Sequence, residues 1–554
     1  MQNNYTKLYL KYCFFISAFI INGNLQAQLL QNKSNFTKHD TLRGSITPER
    51  KWWDLSYYDL NIKVQPDNKY IAGYNIVRYK VLKSHDVIQI DLQEPLEITA
   101  ISQDNEDLNF NKIGPAHFIF LKKKQVPGEY NELYIQYAGK PKEAVNAPWD
   151  GGFSWKKDKN GKDFVATSCQ GLGASVWWPN KDHMYDEVDS MRIAVDVPKD
   201  LIAIANGRLR DTYEYEYGGY KLYEWFVSNP INNYGVNVNI GDYVNFSEVY
   251  KGEKGDLDMD YWVLSYNLDI AKEQFKDAPK MMKAFEHWFG PYPFYEDSFK
   301  LVEVPYLGME HQSSITYGNK YINGYLGRDL SRTGWGLKFD FIIIHEAGHE
   351  WFANNITNKD IADMWIHESF TAYSENLFLD YHYGKEASAD YVIGTRANIQ
   401  NDKPIIGPYN VNKEGSSDMY YKGANMLHTL RQLVEDDGLW RQILRGLNAE
   451  FYHQTVTTKQ IEDYISKNTD KDLTAFFNQY LRDVRIPTLE YKIKNGELKF
   501  RYIDIVENFD MPIEVEIDGK SEWLFPNSEW TTKSIEGDDF KVDRDYYIYS
   551  KKVE

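Results

Sequence analysis

Cysteine is nearly absent from this chain, which has two cysteines among its 554 residues. Cys13 lies close to the N-terminus, within a segment that we expect to be removed, and Cys169 stands alone in the rest of the sequence. A single remaining thiol cannot form an internal disulfide. A catalytic role for this thiol is the rarer alternative, and we expect Cys169 to be a small buried packing residue.

Long uninterrupted apolar sequence is also missing. The apolar run at residues 13–21 follows Lys7 and Lys11 and precedes the small residue Ala27. A basic start, a short apolar run and a small residue at a cleavage point are typical of a secretory signal peptide, and the run is too short to span a bilayer. We therefore predict that residues 1–27 are a signal peptide and that the protein is exported, to the periplasm or the medium. A retained amphipathic anchor is the alternative.

Positive charge is in deficit. The chain has 63 lysines and arginines against 81 acidic residues, a net charge of −18, and loss of the two lysines within residues 1–27 brings it to −20. A chain this acidic repels nucleic acid and anionic lipid. We expect no nucleic-acid partner and no transmembrane segment after signal removal, while the oligomeric state stays open.

Hydrophobic periodicity divides the remaining sequence into regions. Residues 28–45 are polar and lack periodicity, which predicts a flexible leader. Residues 46–260 consist of short alternating segments separated by turn signals, which predicts a large N-terminal β domain. Residues 261–486 have mainly helical spacing, and residues 487–554 return to a period of two. The predicted fold is therefore multidomain α+β, with a β domain, a mostly helical domain and a small C-terminal β module.

Some elements can be predicted with their ends. Apolar residues at helical spacing predict helices over 268–289 and 339–354. Thr457 and Gln460 form a capping-box pattern at the start of a further helix. Asn495-Gly496 between two alternating segments predicts a tight hairpin in the C-terminal module.

The most informative motif lies in the second of these helices. His345 and His349 are one helical turn apart, so both imidazoles project from the same face, as two ligands of one metal ion require. Glu368, in the next helical segment, can supply a third ligand, and Glu346 lies beside a metal-bound water as general base. Two histidines and a carboxylate favour Zn²⁺, one per chain. The alternative is an ordinary amphipathic helix with unrelated histidines.

The segments HEAGHEWFANN and WIHESFTAYSEN resemble the aminopeptidase N family of zinc metallopeptidases, which includes the leukotriene epoxide hydrolase. In that family a glutamate follows the second histidine after eighteen intervening residues, and Glu368 fits this spacing. His367 and Ser369 depart from the asparagine and glycine that are usual beside the third ligand. We therefore expect the properties of the metal site to be adjusted rather than lost. The resemblance implies a thermolysin-like α/β zinc peptidase domain for residues 261–486.

A second family signature, Gly-x-Met-Glu-Asn, is matched in part by residues 307–311, with Leu307 and His311 as departures. An enzyme that removes one residue at a time must recognise a free α-ammonium, and a fixed carboxylate does so well. The resemblance therefore implies that Glu310 binds the substrate amine, with Gly308 and Met309 beside it.

Two further segments complete the resemblance. Tyr420-Tyr421-Lys422-Gly423 is similar to the family's Tyr-x-Lys-Gly, which implies that Tyr420 donates to the oxyanion, with Tyr421 as an adjacent competitor. Gln170, in the segment Cys169-Gln170-Gly171 that comes before residues 178–182, is implied to contact the substrate's amino terminus or first side chain. A turn glutamine without a ligand is the alternative for this residue.

Together these patterns predict an exported zinc-dependent aminopeptidase that acts on peptides with a free N-terminus. A zinc hydrolase of another amide or of an epoxide, and a non-catalytic peptide-binding module, are the alternatives. The family usually continues into a helical C-terminal domain that roofs the cleft, whereas this sequence ends after its β module. We therefore expect a more open cleft that accepts longer peptides.

Overall fold

The computed structural model of the protein describes residues 36–554, and the predicted signal peptide over 1–27 lies outside them. The predicted multidomain α+β organisation is confirmed, with an N-terminal β domain, a mainly helical domain and C-terminal β sheets. No helix within the described residues has the length and apolar character needed to cross a membrane.

The chain enters the β domain through a short helix, Lys38–Gly44 (α1), and one further turn, Pro48–Lys51 (α2). Thr37 and Asp40 form a capping box that starts α1. A Cβ on Gly44 would lie 2.1 Å from the carbonyl carbon of Val411, so the helix is packed closely against the helical domain. From Lys38 onward the prediction of a flexible leader is therefore wrong, because capping and tertiary packing order this segment.

The β domain consists of strands whose buried and exposed residues mostly alternate. In chain order the strands are Trp53–Gln65 (β1), Tyr70–Val81 (β2), Val87–Asp91 (β3), Glu97–Gln103 (β4), Glu106–Asp107 (β5), Asn109–Ile113 (β6), Ala116–Phe120 (β7), Tyr130–Gly139 (β8), Gly152–Lys157 (β9), Asp163–Ser168 (β10), Ser190–Pro198 (β11), Ile202–Ala205 (β12), Arg208–Glu214 (β13), Tyr220–Val227 (β14) and Val238–Gly241 (β15). Three sheets result, in the orders β13-β14-β11-β1-β2-β8-β4-β5, β12-β15-β10-β9 and β3-β7-β6. Cys169 is buried in their shared core, as expected.

The helical domain begins earlier than predicted. Its elements are Tyr243–Gly252 (β16), Gly255–Leu264 (β17), Leu268–Gln274 (α3), Asp277–Phe289 (α4), Phe299–Glu303 (β18), Gly308–Met309 (β19), Ile315–Tyr317 (β20), Phe341–Gly348 (α5), Ile356–Asn358 (β21), Trp365–Tyr383 (α6), Lys385–Thr395 (α7), Tyr421–Val434 (α8), Asp437–Glu450 (α9), Gln454–Val456 (β22), Thr458–Thr469 (α10) and Thr474–Arg482 (α11). The hairpin β16-β17 joins β18, β20 and β19 in one sheet. The predicted boundary at residue 260 falls inside β17, because alternation reveals strands without indicating which sheet they join.

The two predicted long helices are both interrupted. The helix predicted over 268–289 is divided into α3 and α4, and the one predicted over 339–354 leaves regular α geometry after Gly348. Phe352 and Ala353 have non-helical backbone angles there. Periodicity alone did not reveal this break. The predicted capping box of Thr457 and Gln460 is confirmed at the start of α10.

The C-terminal module contains Thr488–Lys494 (β23), Glu497–Ile503 (β24), Ile513–Ile517 (β25), Lys520–Leu524 (β26), Thr531–Ser534 (β27), Phe540–Val542 (β28) and Tyr549–Lys552 (β29). The predicted hairpin at Asn495-Gly496 is confirmed between β23 and β24. Side chains of this module share one continuous apolar core with the helical domain. Tyr480 of α11 donates a hydrogen bond to the carbonyl of Tyr547, 2.8 Å away, across this junction.

Candidate active site

His345 lies on α5, whose first turn is capped by the buried Asp340, and His349 is the C-cap residue of the same helix. Their ring centroids are 5.1 Å apart. Glu368 lies in the first turn of α6, and its Oε2 is 3.8 Å from Nε2 of His345 and 3.5 Å from Nε2 of His349. The three side chains that the sequence predicts as metal ligands therefore converge on one point.

The donor set fits zinc. Oε2 of Glu368 is buried and has no hydrogen-bond partner among the described residues, which would be costly unless a cation were its partner. His345 donates through Nδ1 to Oε1 of Glu375 at 2.7 Å, and Nδ1 of His349 is 3.1 Å from the carbonyl of Phe352. Both histidines therefore present Nε2 as the free ligand atom, and two nitrogens with one carboxylate oxygen leave a fourth tetrahedral position open.

Burial and charge act differently on the three carboxylates of the site. Burial raises the pKa of Glu346 to about 7, although His345 counteracts this effect. Burial also raises the pKa of Glu310, against the attraction of His349. Burial alone would raise the pKa of Glu368, but the adjacent His349 and His345 hold it well below its usual range. Glu368 is thus the most acidic of the three carboxyl groups, whereas burial makes Glu346 and Glu310 hold their protons more tightly.

Glu310 lies beside the metal ligands, although it comes from a different part of the fold. It follows β19, which pairs with β20, and only 3% of the residue is exposed. One carboxylate oxygen of Glu310, one of Glu346 and one ring nitrogen of His349 lie within 4.8 Å of one another. Gln170 of the β domain donates through Nε2 to Oε1 of Glu310 at 2.5 Å and to Oε1 of Glu368 at 3.2 Å.

The adjacent tyrosines have different environments. The ring centroid of Tyr420 is 6.0 Å from that of His345. Burial and then the charges of Glu368, Glu310 and Glu346 raise the pKa of Tyr420. The pKa of Tyr421 is raised by burial and then by Glu375, which supports His345 from outside the ligand set. Tyr420 is therefore the tyrosine next to the functional carboxylates.

His367 and Ser369, the two residues beside Glu368 that depart from the family pattern, both form hydrogen bonds with backbone groups. Nε2 of His367 accepts a hydrogen bond from the backbone N–H of Asn358 at 2.8 Å. Ser369 donates to the carbonyl of Met419 at 2.6 Å, one residue before Tyr420. A Cβ on Gly423 would lie 1.9 Å from Oγ of Ser369, so a glycine is needed where α8 approaches α6. His367 thus connects α6 to β21, Ser369 connects α6 to the tyrosine segment, and neither contact occupies a ligand atom.

One cleft of about 850 Å³ contains all the predicted site residues, namely Gln170, Gly308, Met309, Glu310, His345, Glu346, His349, Glu368 and Tyr420. Its walls also include residues that sequence reasoning missed. Arg43 of α1 and Trp149, which is 63% exposed, lie on the β-domain side, and Asp402 and Glu414 lie on the other. The turn sequence around Pro148-Trp149 was the available signal for a loop, but nothing in it indicated the cleft.

A β domain joined to a helical domain with a His-His-Glu site and a glutamate base in one cleft defines a zinc metallopeptidase. Residues 55–234 match the Peptidase M1 N-terminal domain, and residues 273–480 match the Peptidase family M1 domain. The chain belongs to peptidase family M1.

Similar proteins include Leukotriene A-4 hydrolase of Xenopus laevis, 24% identical over 76% of this chain and 68% of that protein. Probable aminopeptidase 1 of Sulfurisphaera tokodaii is 21% identical over 78% of this chain and 55% of its own length. The chain thus spans little more than half of some curated relatives. Among solved structures, a mutant M1 zinc metallopeptidase of Deinococcus radiodurans bound to the substrate Tyr-Ser-Ala has a TM-score of 0.66 at 18% identity, over 79% of this chain and 96% of that one.

Proposed function

We propose that this protein is a zinc-dependent aminopeptidase that removes residues from the free N-terminus of peptides. The observation that carries the proposal is the buried carboxylate of Glu310, which lies in the same cleft as the metal ligands and close to His349 and Glu346. A fixed carboxylate at that distance from the metal centre can pair with the α-ammonium group of a substrate. It would then allow only the first peptide bond to reach the base.

His345, His349 and Glu368 would hold the zinc ion. Zinc bound there supplies a Lewis acid that polarises the scissile carbonyl and acidifies water at neutral pH. Glu346, whose carboxylate lies beside His349, accepts the proton of the attacking water and returns it to the leaving amine. The Tyr420 hydroxyl donates to the oxygen of the carbonyl as negative charge develops on it.

Substrate position depends on residues at the amine end of the cleft. Glu310 accepts hydrogen bonds from the ammonium, and Gln170 holds that carboxylate in place from the β domain. Gly308 and Met309 precede Glu310 on β19 and line the cleft beside it. The distance from the ammonium to the first carbonyl is the same in every peptide, so this anchor places the first bond at the metal centre whatever the side chain.

The proposal is tested with a panel of aminoacyl arylamides, each measured beside its N-acetylated twin, with the zinc-loaded protein and with a chelator. We expect cleavage of the free-amine substrates only, lost on chelation and restored by zinc. Equal cleavage of both forms would indicate an amide hydrolase without amine recognition. An absence of cleavage, with zinc and a peptide both bound, would favour the non-catalytic peptide-binding module.

A matched pair of variants assigns the chemistry to Glu346. Glu346→Gln removes the base and is expected to lower kcat by about 10²–10⁴-fold while zinc content is retained. Glu286→Gln is the control, since Glu286 is also a buried glutamate but lies on α4, where it accepts from the hydroxyl of Tyr295 and the backbone N–H of Tyr292 and does not line the cleft. A Glu346→Gln enzyme of normal turnover would contradict the mechanism.

Export forms a separate part of the proposal. It is supported by the basic start, the apolar run and the small residue Ala27 near the N-terminus. Expression of the full chain followed by cell fractionation and N-terminal sequencing is expected to yield a protein outside the cytoplasm that begins at Gln28. A cytoplasmic protein that still carries residues 1–27 would contradict it.

A further inference from the structure

The loop that carries Glu310, residues 310–314 (the amine loop), is held by asparagine side chains at every second carbonyl. Asn354 donates through Nδ2 to the carbonyl of Glu310 at 3.0 Å. Asn206 donates to the carbonyl of Gln312 at 2.7 Å, and Asn237 to the carbonyl of Ser314 at 3.0 Å. Backbone carbonyls without a strand or helix partner need such donors when they are buried.

These three asparagines come from both domains. Asn206 directly follows β12 and Asn237 directly precedes β15, both in the β domain, whereas Asn354 lies in the irregular stretch after α5. Each of them is at most 1% exposed. The amine loop is therefore positioned by side chains that its own domain supplies only in part.

The asparagines are also connected to one another. Oδ1 of Asn206 accepts from the backbone N–H of Asn237 at 2.8 Å. Asn232 donates to Oδ1 of Asn354 at 3.3 Å, and its own Oδ1 accepts from the backbone N–H of Gly235. Asn206 donates to the carbonyl of Gly235 as well. A displacement of any member would thus be transmitted to the others.

The backbone of the amine loop has an internal turn hydrogen bond, from the N–H of Ser314 to the carbonyl of His311 at 3.0 Å, but its conformation also needs support from outside the loop. Ser313 has a φ of +51°, in the left-handed region that a residue with a side chain adopts only when its surroundings impose it. Glu350 accepts from the N–H of Ser313 at 2.8 Å, and Oγ of Ser313 accepts from the N–H of Gly207 at 2.9 Å. The contacts that fix this conformation also come from the β domain and from the residue after a metal ligand.

We propose that Asn206, Asn237 and Asn354 are positioning residues that set the Glu310 carboxylate for the substrate ammonium, so that recognition of the free amine depends on both domains. The inference rests on the proposed function of Glu310. Asn354 binds the carbonyl of Glu310 itself, a few covalent bonds from its carboxylate. A displacement of about 1 Å in a positioned group can cost roughly 10²-fold in rate. Because the asparagines hold the loop that carries Glu310, their loss should weaken binding of the substrate ammonium in particular.

The test measures amine recognition separately from metal binding. Dissociation constants of two metal-directed ligands, leucine hydroxamate and the same hydroxamate without its amino group, are determined by calorimetry on the zinc-loaded protein. The dissociation constant of the amine-free ligand, divided by that of leucine hydroxamate, reports only what the amine contributes, because both ligands bind the metal centre. In Asn354→Leu and Asn206→Leu the ratio is expected to fall about tenfold, with the affinity for the amine-free ligand unchanged.

Asn75→Leu is the matched control. Asn75 is fully buried in β2 and donates to the carbonyl of Pro179 at 2.9 Å, so its loss removes the same kind of hydrogen bond far along the chain from the amine loop. We expect it to lower thermal stability without changing the ratio. If the leucine variants do not fold, Asn354→Ser and Asn206→Ser replace them, since the smaller side chain admits water to the carbonyls.

The outcomes separate this inference from the proposed function. A wild-type ratio near one would overturn the amine-binding role of Glu310, and this inference with it. A high wild-type ratio that Glu310→Gln abolishes but both asparagine variants retain would overturn the positioning role alone. In the Glu310→Gln background Asn354→Leu should have no further effect on the ratio, because the two changes act on one interaction.

Discussion

The metal centre and the amine loop are adjacent in the cleft but are built differently. The metal ligands lie on α5, at its C-cap and on α6, and Glu375, the partner of His345, is on α6 as well. The amine loop has little regular structure and depends on Asn206 and Asn237 of the β domain. The metal ligands thus all come from one domain, whereas the amine site needs both.

This difference separates the expected effects of substitution. Changes around the metal centre should alter zinc affinity or turnover by one factor for every substrate. Changes around the amine loop, in contrast, should alter the preference for a free amine while zinc binding is retained. Each of the following predictions tests this separation, beginning with the largest expected effect.

Tyr420→Phe is expected to lower kcat by about 10²–10³-fold, because it removes a hydrogen-bond donor to the developing oxyanion. Steady-state kinetics on several aminoacyl arylamides should give the same factor for each, with KM and zinc content little changed. Tyr421→Phe is the control, as its hydroxyl is near Glu375 rather than the ligand carboxylate. A larger loss in the control than in Tyr420→Phe would reverse the assignment of the two tyrosines.

Glu375→Gln is expected to weaken zinc binding by roughly 10–100-fold, since the carboxylate that orients His345 loses its charge. Competition with a chromogenic chelator measures this affinity directly. Thr371→Val is the comparison, because Thr371 lies 3.0 Å from Nδ1 of His349 but carries no charge, and its effect should be smaller. Altered discrimination between free and acetylated amines in Glu375→Gln would show that the two sites are not separable.

The same contrast explains what the sequence could predict. His345, His349 and Glu368 could be placed together because helical spacing and a short connection bring them onto facing turns. The role of Glu310 followed only from a family resemblance, since a Gly-Met-Glu segment has no periodicity that reveals its surroundings. Asn206 could not be connected to the amine loop at all, because it contacts a carbonyl 106 residues away.

Irregular backbone was the second feature that could not be predicted from the sequence. The helix predicted over 339–354 ends at Gly348, and the non-helical angles at Phe352 and Ala353 precede Asn354, the residue that reaches Glu310. The apolar pattern continues through this break, because the segment remains buried on both sides of it. Periodicity reports burial, so it cannot show where a buried helix ends.

Gln170 is the residue at which the separation should be weakest. It comes from the β domain and donates to both Glu310 and Glu368, so it touches the amine site and the metal site together. Loss of one hydrogen bond to a charged group costs roughly 1.5–3 kcal/mol, and each 1.4 kcal/mol is about tenfold. Because the substrate ammonium still pairs with Glu310, we expect Gln170→Leu to lower kcat/KM by about tenfold, mostly through KM.

Zinc affinity in Gln170→Leu should change by much less, since Glu368 retains both histidines as neighbours and its free oxygen is not the one that Gln170 contacts. Gln103→Leu removes a buried glutamine donor to Tyr79 inside the β domain and controls for the cost of the substitution itself. A loss of zinc affinity in Gln170→Leu as large as that in Glu375→Gln would mean that the β domain completes the metal centre too. Both sites would then be shared between the domains, and the difference between them would be one of degree.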